Sequence, residues 1–453
     1  MDKTRVYLER SKSSPINLWI GRKNDLSPHD PFLQVIPHAT SRLKSLTVRT
    51  TPRRIGHIAT HLSHPAPLIE YLSIYCGSGF DPTSNPVLKT TLLNGDLSSL
   101  RTLYLMSVRT KLPWRNMVNL TSFTLGHTPL GYVSIGQLLD FFETAPRLEN
   151  VQLESATPTS GAQDGRLVSL DRLVWMSIRE DEPCSLLLNH LLIPVGAKLS
   201  IRADSFGHGF EGHLPSSLDN LRNFSDFTDI NLNFNGGSAE VRFTGPNGQV
   251  TLTRTSPQTN PTCLVLGYLA RVIDTSKAER LEINRGNPPS RYPLRRVLPH
   301  MENLRTLELS RCQSPHLFTR ALRPSTSSSG PVVCPKLEVL VLVLRANSET
   351  FNIKDLIRMA TARALRGAKL KTVKVIGGEG ELDPSSALEL GRCVSRVEFA
   401  PRTGTVNDDS DGFDDSDEDS DDTDDTDDSY DSVEDSVEDR GEDSGDSVSD
   451  GYW

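Results

Sequence analysis

Hydrophobic positions recur along the chain in one local form, Leu-x-x-[Leu/Val/Phe]-x-[Leu/Val/Ile], with polar residues between them. Clear copies are Leu43–Val48, Leu100–Leu105, Leu120–Leu125, Leu148–Leu153, Leu304–Leu309, Leu337–Leu342 and Leu370–Val375. Looser ones are Ile69–Ile74, Leu170–Val174, Ala278–Ile283 and Val394–Phe399. The last two apolar side chains of each copy share one face of a short strand, and the leading residue turns in from the preceding loop. The residues between, as in Arg305-Thr-Leu-Glu-Leu309, then form a solvent-facing ladder. One such unit cannot bury its own apolar face, so neighbours must stack to share a core.

From one leading position to the next, the gaps 100 to 120, 120 to 148, 148 to 170 and 304 to 337 are 20, 28, 22 and 33 residues. Leucine-rich repeats run about 20–29 residues, so most gaps fit and the longest carries an insertion. Helical periodicity lies between the strands. Val133–Thr144 places Ile135, Leu138, Leu139 and Phe142 at helix spacing and stops before Pro146; Arg53–Leu62 and Phe351–Leu365 behave alike. The rhythm breaks at about 215–255, where Ala239–Thr244 and Gln249–Thr253, joined by Gly245-Pro-Asn-Gly248, predict a β-hairpin insertion. Ser325–Pro331 predicts a surface loop. The expected fold class is α/β: a degenerate leucine-rich-repeat solenoid, horseshoe-shaped, over residues 1–400, with a disordered acidic tail over 401–453.

Charge sharpens this division. Of the net charge of -9, residues 407–453 carry 23 acidic residues against one Arg, an excess of 22 negative charges. The rest of the chain holds 48 Lys and Arg against 35 Asp and Glu, a surplus of 13 positive charges. Dense charge of one sign with few apolar residues predicts disorder for the tail. Ser416, Ser432 and Ser436 precede acidic residues there and are candidate phosphorylation sites. The body's mild surplus can attract nucleic acid or acidic protein segments, or be neutralised by the chain's own tail. Spread over about 400 residues it is weak, and nucleic acid is not an expected partner. No apolar run reaches 18 residues and no secretory leader is legible, so no membrane span is expected and a cytoplasmic or nuclear setting is. Six scattered cysteines without a CxxC pair predict buried, reduced thiols.

Catalytic patterning is sparse, and no enzymatic activity, cofactor or metal is expected. His57, His61 and His64 share helix spacing but lack a fourth ligand and a following Glu, which predicts a solvated cluster at a helix end. Gly77-Ser-Gly79 and Gly377-Gly-Glu-Gly380 lack the Lys-Ser/Thr of a phosphate-binding loop and predict turns. Glu180, Asp181 and Glu182 predict a charged, solvated loop. Trp19 and Trp175 are expected to pack in the core or along the ladder. Trp114, after Pro113 in a loop, is a candidate binding anchor. Arg101 and Arg305, each opening an Arg-Thr-Leu ladder segment, complete the candidate protein-binding residues.

Several of these segments, in this order, resemble the fungal (basidiomycete) family of F-box and leucine-rich-repeat proteins. The residues that carry the resemblance are Leu8–Leu18, Phe32–His38 with Arg42–Leu46, Leu100–Leu103, Leu138–Phe142 with Ala145–Leu148, and Leu304–Leu307. The similarity covers roughly residues 5–400. The resemblance implies a repeat array that holds a substrate protein, in a family whose N-terminal F-box docks on the adaptor of a cullin ubiquitin ligase. The likeness begins at Leu8, where an F-box would already have ended, so this chain is expected to lack that docking domain. The alternative expectation is a free-standing scaffold, or a chromatin-associated binder whose acidic tail engages basic proteins.

Overall fold

Sixteen strands join into one sheet in the computed structural model of the chain, with helices in many of the connections. The structure describes residues 2–400 except 22–35, 78–86, 89–91, 96, 111–115, 128–132, 159–164, 181–182, 204–209, 211, 216, 236, 256–260, 287–290, 325–330, 345–351 and 378–383. Residues 1–403 form one compact unit and 404–453 a second. The tail and its three serines therefore lie outside the described residues, as do Trp114, Asp181 and Glu182.

The first eight strands are β1 (Ile16–Ile20), β2 (Leu43–Thr50), β3 (Tyr71–Cys76), β4 (Thr102–Met106), β5 (Ser122–Gly126), β6 (Asn150–Glu154), β7 (Trp175–Glu180) and β8 (Lys198–Ala203). They lie side by side in sequence order, every pair parallel. After β9 (Asp229–Asn235), β10 (Ser238–Gly245) and β11 (Gly248–Thr255), the order resumes with β12 (Arg280–Asn284), β13 (Thr306–Ser310), β14 (Val339–Val343), β15 (Thr372–Ile376) and β16 (Arg396–Ala400), again parallel. The recurring motif explains the register. Leu103, Phe123, Val151, Met176 and Leu199 stand opposite one another on successive strands, as do Leu105, Leu125, Leu153, Ile178 and Ile201, and all are buried. A fully buried side chain of this size contributes about 1.5–3 kcal/mol, so a slip of one residue would forfeit many such terms together.

The expected hairpin is present as β10 and β11, joined through Pro246 and Asn247. Gly248 is needed at the turn: its φ is +135°, and a side chain there would collide with the Ala197 carbonyl. The interval is more than a hairpin inserted into the array, however. β9 adds a third strand, and the meander is built into the sheet in reverse order, with β11 parallel to β8 and β9 parallel to β12. Phe224, Phe227 and Phe243 fill its core side, with ring centroids 4.8–5.1 Å apart.

Helices cover the side where the strands bury their apolar residues. The expected helices span Ile135–Thr144, Pro52–His61 and Ile353–Leu365. Ser134 starts the first with a capping box: its Oγ accepts from Gln137 N at 3.2 Å, and Gln137 Oε1 accepts from Ser134 N at 3.0 Å. Phe141 of that helix meets Phe123 of β5 at 4.3 Å between ring centroids. Further along, Arg363 is fully buried and donates to the carbonyls of Val333 (2.6 Å) and Cys334 (2.8 Å), tying helix Ile353–Leu365 to the loop before β14. Burial pushes the Cys334 thiol up to about 12, with Arg363 opposing.

The copy placed at Leu170–Val174 is three residues out of register: the true unit runs from Leu173 to Ile178, with Met176 and Ile178 on the core side of β7. Trp19 is not in the core; it stands 64% exposed at the first strand. No helix among the described residues is long and apolar enough to cross a membrane.

Candidate protein-binding site

Alternation along each strand leaves one face of the sheet open, and the side chains there form columns across it. At its N-terminal end one column runs Arg49, Tyr75, Met106, Gly126, Glu154 and Arg179. The next runs Thr47, Ser73, Tyr104, Thr124 and Gln152. A third brings Tyr71 opposite Thr102. Arg49, Tyr71, Tyr75, Tyr104 and Met106 thus converge on β2–β4 from a stretch of nearly sixty residues, with Trp19 at the flank on β1.

Local packing sets how these side chains lie. Gly126 leaves room for Met106, whose thioether lies over it; a side chain at 126 would strike the sulfur. Met106 is consequently only 5% exposed although its strand position faces outward. Gly21 makes the same allowance for the Trp19 indole. Tyr71 and Tyr75 are each 38% exposed. Burial raises the pKa of Tyr104, helped by the negative charge of Glu154 and by Tyr75, so its phenol stays neutral and able to donate a hydrogen bond. Rigid aromatics, methionine and arginine side by side form the composition that concentrates binding energy at protein interfaces.

The patch continues into a groove at the strand starts. Glu70 directly precedes Tyr71, and Arg101 directly precedes Thr102. The groove encloses about 510 Å³ and is lined by Leu68, Glu70, Ser99, Arg101, Asn119, Thr121, Arg147, Glu149 and Arg172. Part of its wall repeats a simple device, in which the residue before the leading Leu ties its turn to the previous unit. Ser99 Oγ donates to the Pro67 carbonyl (2.7 Å), and Asn119 Nδ2 donates to that of Ser98 (2.8 Å). Arg147 then donates to Asn119 Oδ1 at 2.8 Å.

Arg101, a candidate from the sequence, therefore lines the groove. Arg305 occupies the equivalent place before β13, far along the sheet, with its Nε 3.9 Å from Glu279. The two are exposed but are not brought together. Trp175 is half-buried on the open face between Asn150 and Lys198, a ladder position. The tyrosines were missed, and Trp19 was assigned to the core or ladder. Their alternation with buried residues was readable at Tyr71-Leu-Ser-Ile-Tyr75, but cross-strand register, which no single segment reveals, is what gathers them.

Other reactive groups are arranged for structure. Glu180 is buried, not solvated: one oxygen accepts from Ala156 N, Thr157 N and Thr157 Oγ at 2.6–2.8 Å. The Cys184 thiol lies 3.9 Å from His213 Nδ1 and donates to the His213 carbonyl at 3.2 Å. Burial, with the Glu180 charge, pushes that thiol far above its ordinary value, which suppresses the thiolate a nucleophile requires. All six cysteines are free, and four are buried. His57 and His61 close helix Pro52–His61, with His64 just beyond it; burial and the two neighbours lower the pKa of His61. No cluster of three or more His, Cys, Asp or Glu able to hold a metal occurs among the described residues.

No protein-family model matches the chain, and no curated protein matches it.

Proposed function

We propose that this chain is a protein-binding module: a leucine-rich-repeat-type solenoid, bent into a horseshoe, that holds a partner protein on the open face of its early strands. It acts by binding and carries no catalysis of its own. The observation behind the reading is the gathering of Arg49, Tyr71, Tyr75, Tyr104 and Met106 on β2–β4, a patch that burial of the core does not require. In-register parallel strands that follow one another in sequence order support the repeat reading. Within it, the chain resembles the substrate-recognition part of an F-box ubiquitin-ligase receptor, working in the cytoplasm or nucleus.

The composition of the tail favours a second reading, a free-standing or chromatin-associated scaffold whose 23 acidic residues over 407–453 attract basic proteins. A tagged pull-down from native cell extract, with and without 407–453 and probed for the cullin adaptor, separates the two. Adaptor recovered with both forms supports the receptor. Its absence from both, with basic proteins lost on tail deletion and at high salt, supports the scaffold.

A further inference from the structure

The groove at the start of β3–β7 holds charge that folding does not account for. Arg147 and Arg172 stand at equivalent positions in successive units, two residues before Glu149 and Val174, which share a backbone hydrogen bond of 2.8 Å. Like charges in neighbouring positions repel and weaken a fold unless something offsets them. The Arg147 guanidinium has only the uncharged Asn119 as partner, while the guanidinium groups of Arg101 and Arg172 make no hydrogen bond or ion pair among the described residues. Of the two carboxylates in the groove, Glu70 is drawn to Lys44, 3.7 Å away.

The same rim further along the sheet is different. Before β12–β15, Glu279 faces Arg305 at 3.9 Å and Glu338 faces Lys371 at 2.8 Å. Lys277 reaches Asp226 at 2.7 Å, and Lys336 reaches Asn303 at 2.6 Å. Two of the cations there are neutralised by carboxylates of the same rim, whereas Lys336 has only Asn303 and Lys369 has no ion pair among the described residues. What sets the groove apart is that Arg101, Arg147 and Arg172 gather in one concavity without a carboxylate paired to any of them.

We propose that this groove receives carboxylate side chains from an acidic, extended segment of a partner protein, with Arg101, Arg147 and Arg172 as the groups that hold them. Guanidinium groups match carboxylates in a paired, directional geometry. The volume of about 510 Å³ falls in the range of small-ligand pockets, roughly 300–1,000 Å³, and accommodates side chains of a peptide. A nucleic acid fits less well, because its unbroken run of phosphates would meet Glu70 and Glu149. The inference rests on the protein-binding reading and adds to it: a partner lying over Tyr71 and Tyr75 reaches Arg101 without leaving the surface.

The test is fluorescence anisotropy of a labelled peptide of alternating Glu and Gly, titrated with the full chain at low and at moderate salt. Two charge reversals at exposed positions, Arg172→Glu in the groove and Lys369→Glu on the distant rim, change net charge equally; unchanged thermal unfolding confirms their folds. Binding is expected for the unaltered chain, about tenfold weaker for Arg172→Glu and within about twofold for Lys369→Glu, fading with salt. No binding, or equal weakening by both reversals, overturns the groove assignment. So does a single-stranded oligonucleotide that binds more tightly than the peptide. If the groove fails while Tyr75→Ala still releases a cellular partner, the protein-binding reading survives without it.

Discussion

Strands β2–β7 and strands β12–β16 are built on the same pattern, yet their open faces differ in kind. In the first group the face carries tyrosines, Met106 and Arg49, and on the adjoining rim the guanidinium groups of Arg101 and Arg172 have no ion pair among the described residues. In the second it carries charges that cancel: Arg280 with Glu308 (2.9 Å) and Glu282 (3.4 Å), and Lys374 with Glu398 (3.9 Å). Val339, Val341 and Val343 fill a half-buried aliphatic strand between them. The core face is alike in both, a double column mostly of Leu, Val and Ile, with Phe123 and Met176 in the first group. The motif specifies the scaffold and says little about the surface. Two regions with equal claims to stability are unequal in what they offer a partner.

The comparison can be tested first where the two groups should agree, in the core. Phe141→Ala removes the ring that meets Phe123 under β5 and should cost about 3–5 kcal/mol in denaturant unfolding. On the other side, Arg363→Ala leaves the Val333 and Cys334 carbonyls without their donor and should cost about 3 kcal/mol. If either substitution proved neutral, the claim that both groups rest on equivalent cores would fail.

The open faces should then part company. Tyr75→Ala is expected to weaken partner binding by about 2 kcal/mol while changing stability by less than about 1 kcal/mol, measured by titration and thermal unfolding in parallel. Arg305→Glu, in the self-neutralised rim, should leave binding untouched and alter stability by no more than about 0.5 kcal/mol, as exposed ion pairs do. The smallest effect is on pH. Because the folded His61 has a lowered pKa, the unfolded chain takes up a proton first as pH falls below about 6.5. Stability is therefore complete above that pH and declines slightly as pH drops through the folded value, an effect His61→Gln should abolish in unfolding curves at pH 5 and 7.5.

Much of the scaffold was legible in the sequence because Leu, Phe and Val repeat where the core needs them. It failed where chemistry offered two answers or none. Leu170 and Leu173 are three residues apart and both buried, so pattern alone could not choose between them. β8 was missed because its leading position is Ala197, and β1 because Ile16–Ile20 lacks a leading Leu altogether. In the meander, Ile230, Leu232 and Phe234 alternate as a strand should, but the reversed order follows from pairing partners and is invisible in the alternation. The candidate patch was hidden for a related reason. Arg101 was identified from its ladder position, whereas Tyr71, Tyr75 and Tyr104 become neighbours only through the register of β3 and β4.

The most direct test of the account is quantitative capture of partners from native extract by the unaltered chain, by Tyr75→Ala/Tyr104→Ala, and by Lys374→Ala/Glu398→Ala. The same proteins are expected to be lost with the tyrosine pair and retained with the charged pair, both variants remaining folded. Equal retention by all three, or loss with the charged pair alone, would contradict the assignment of binding to the early strands.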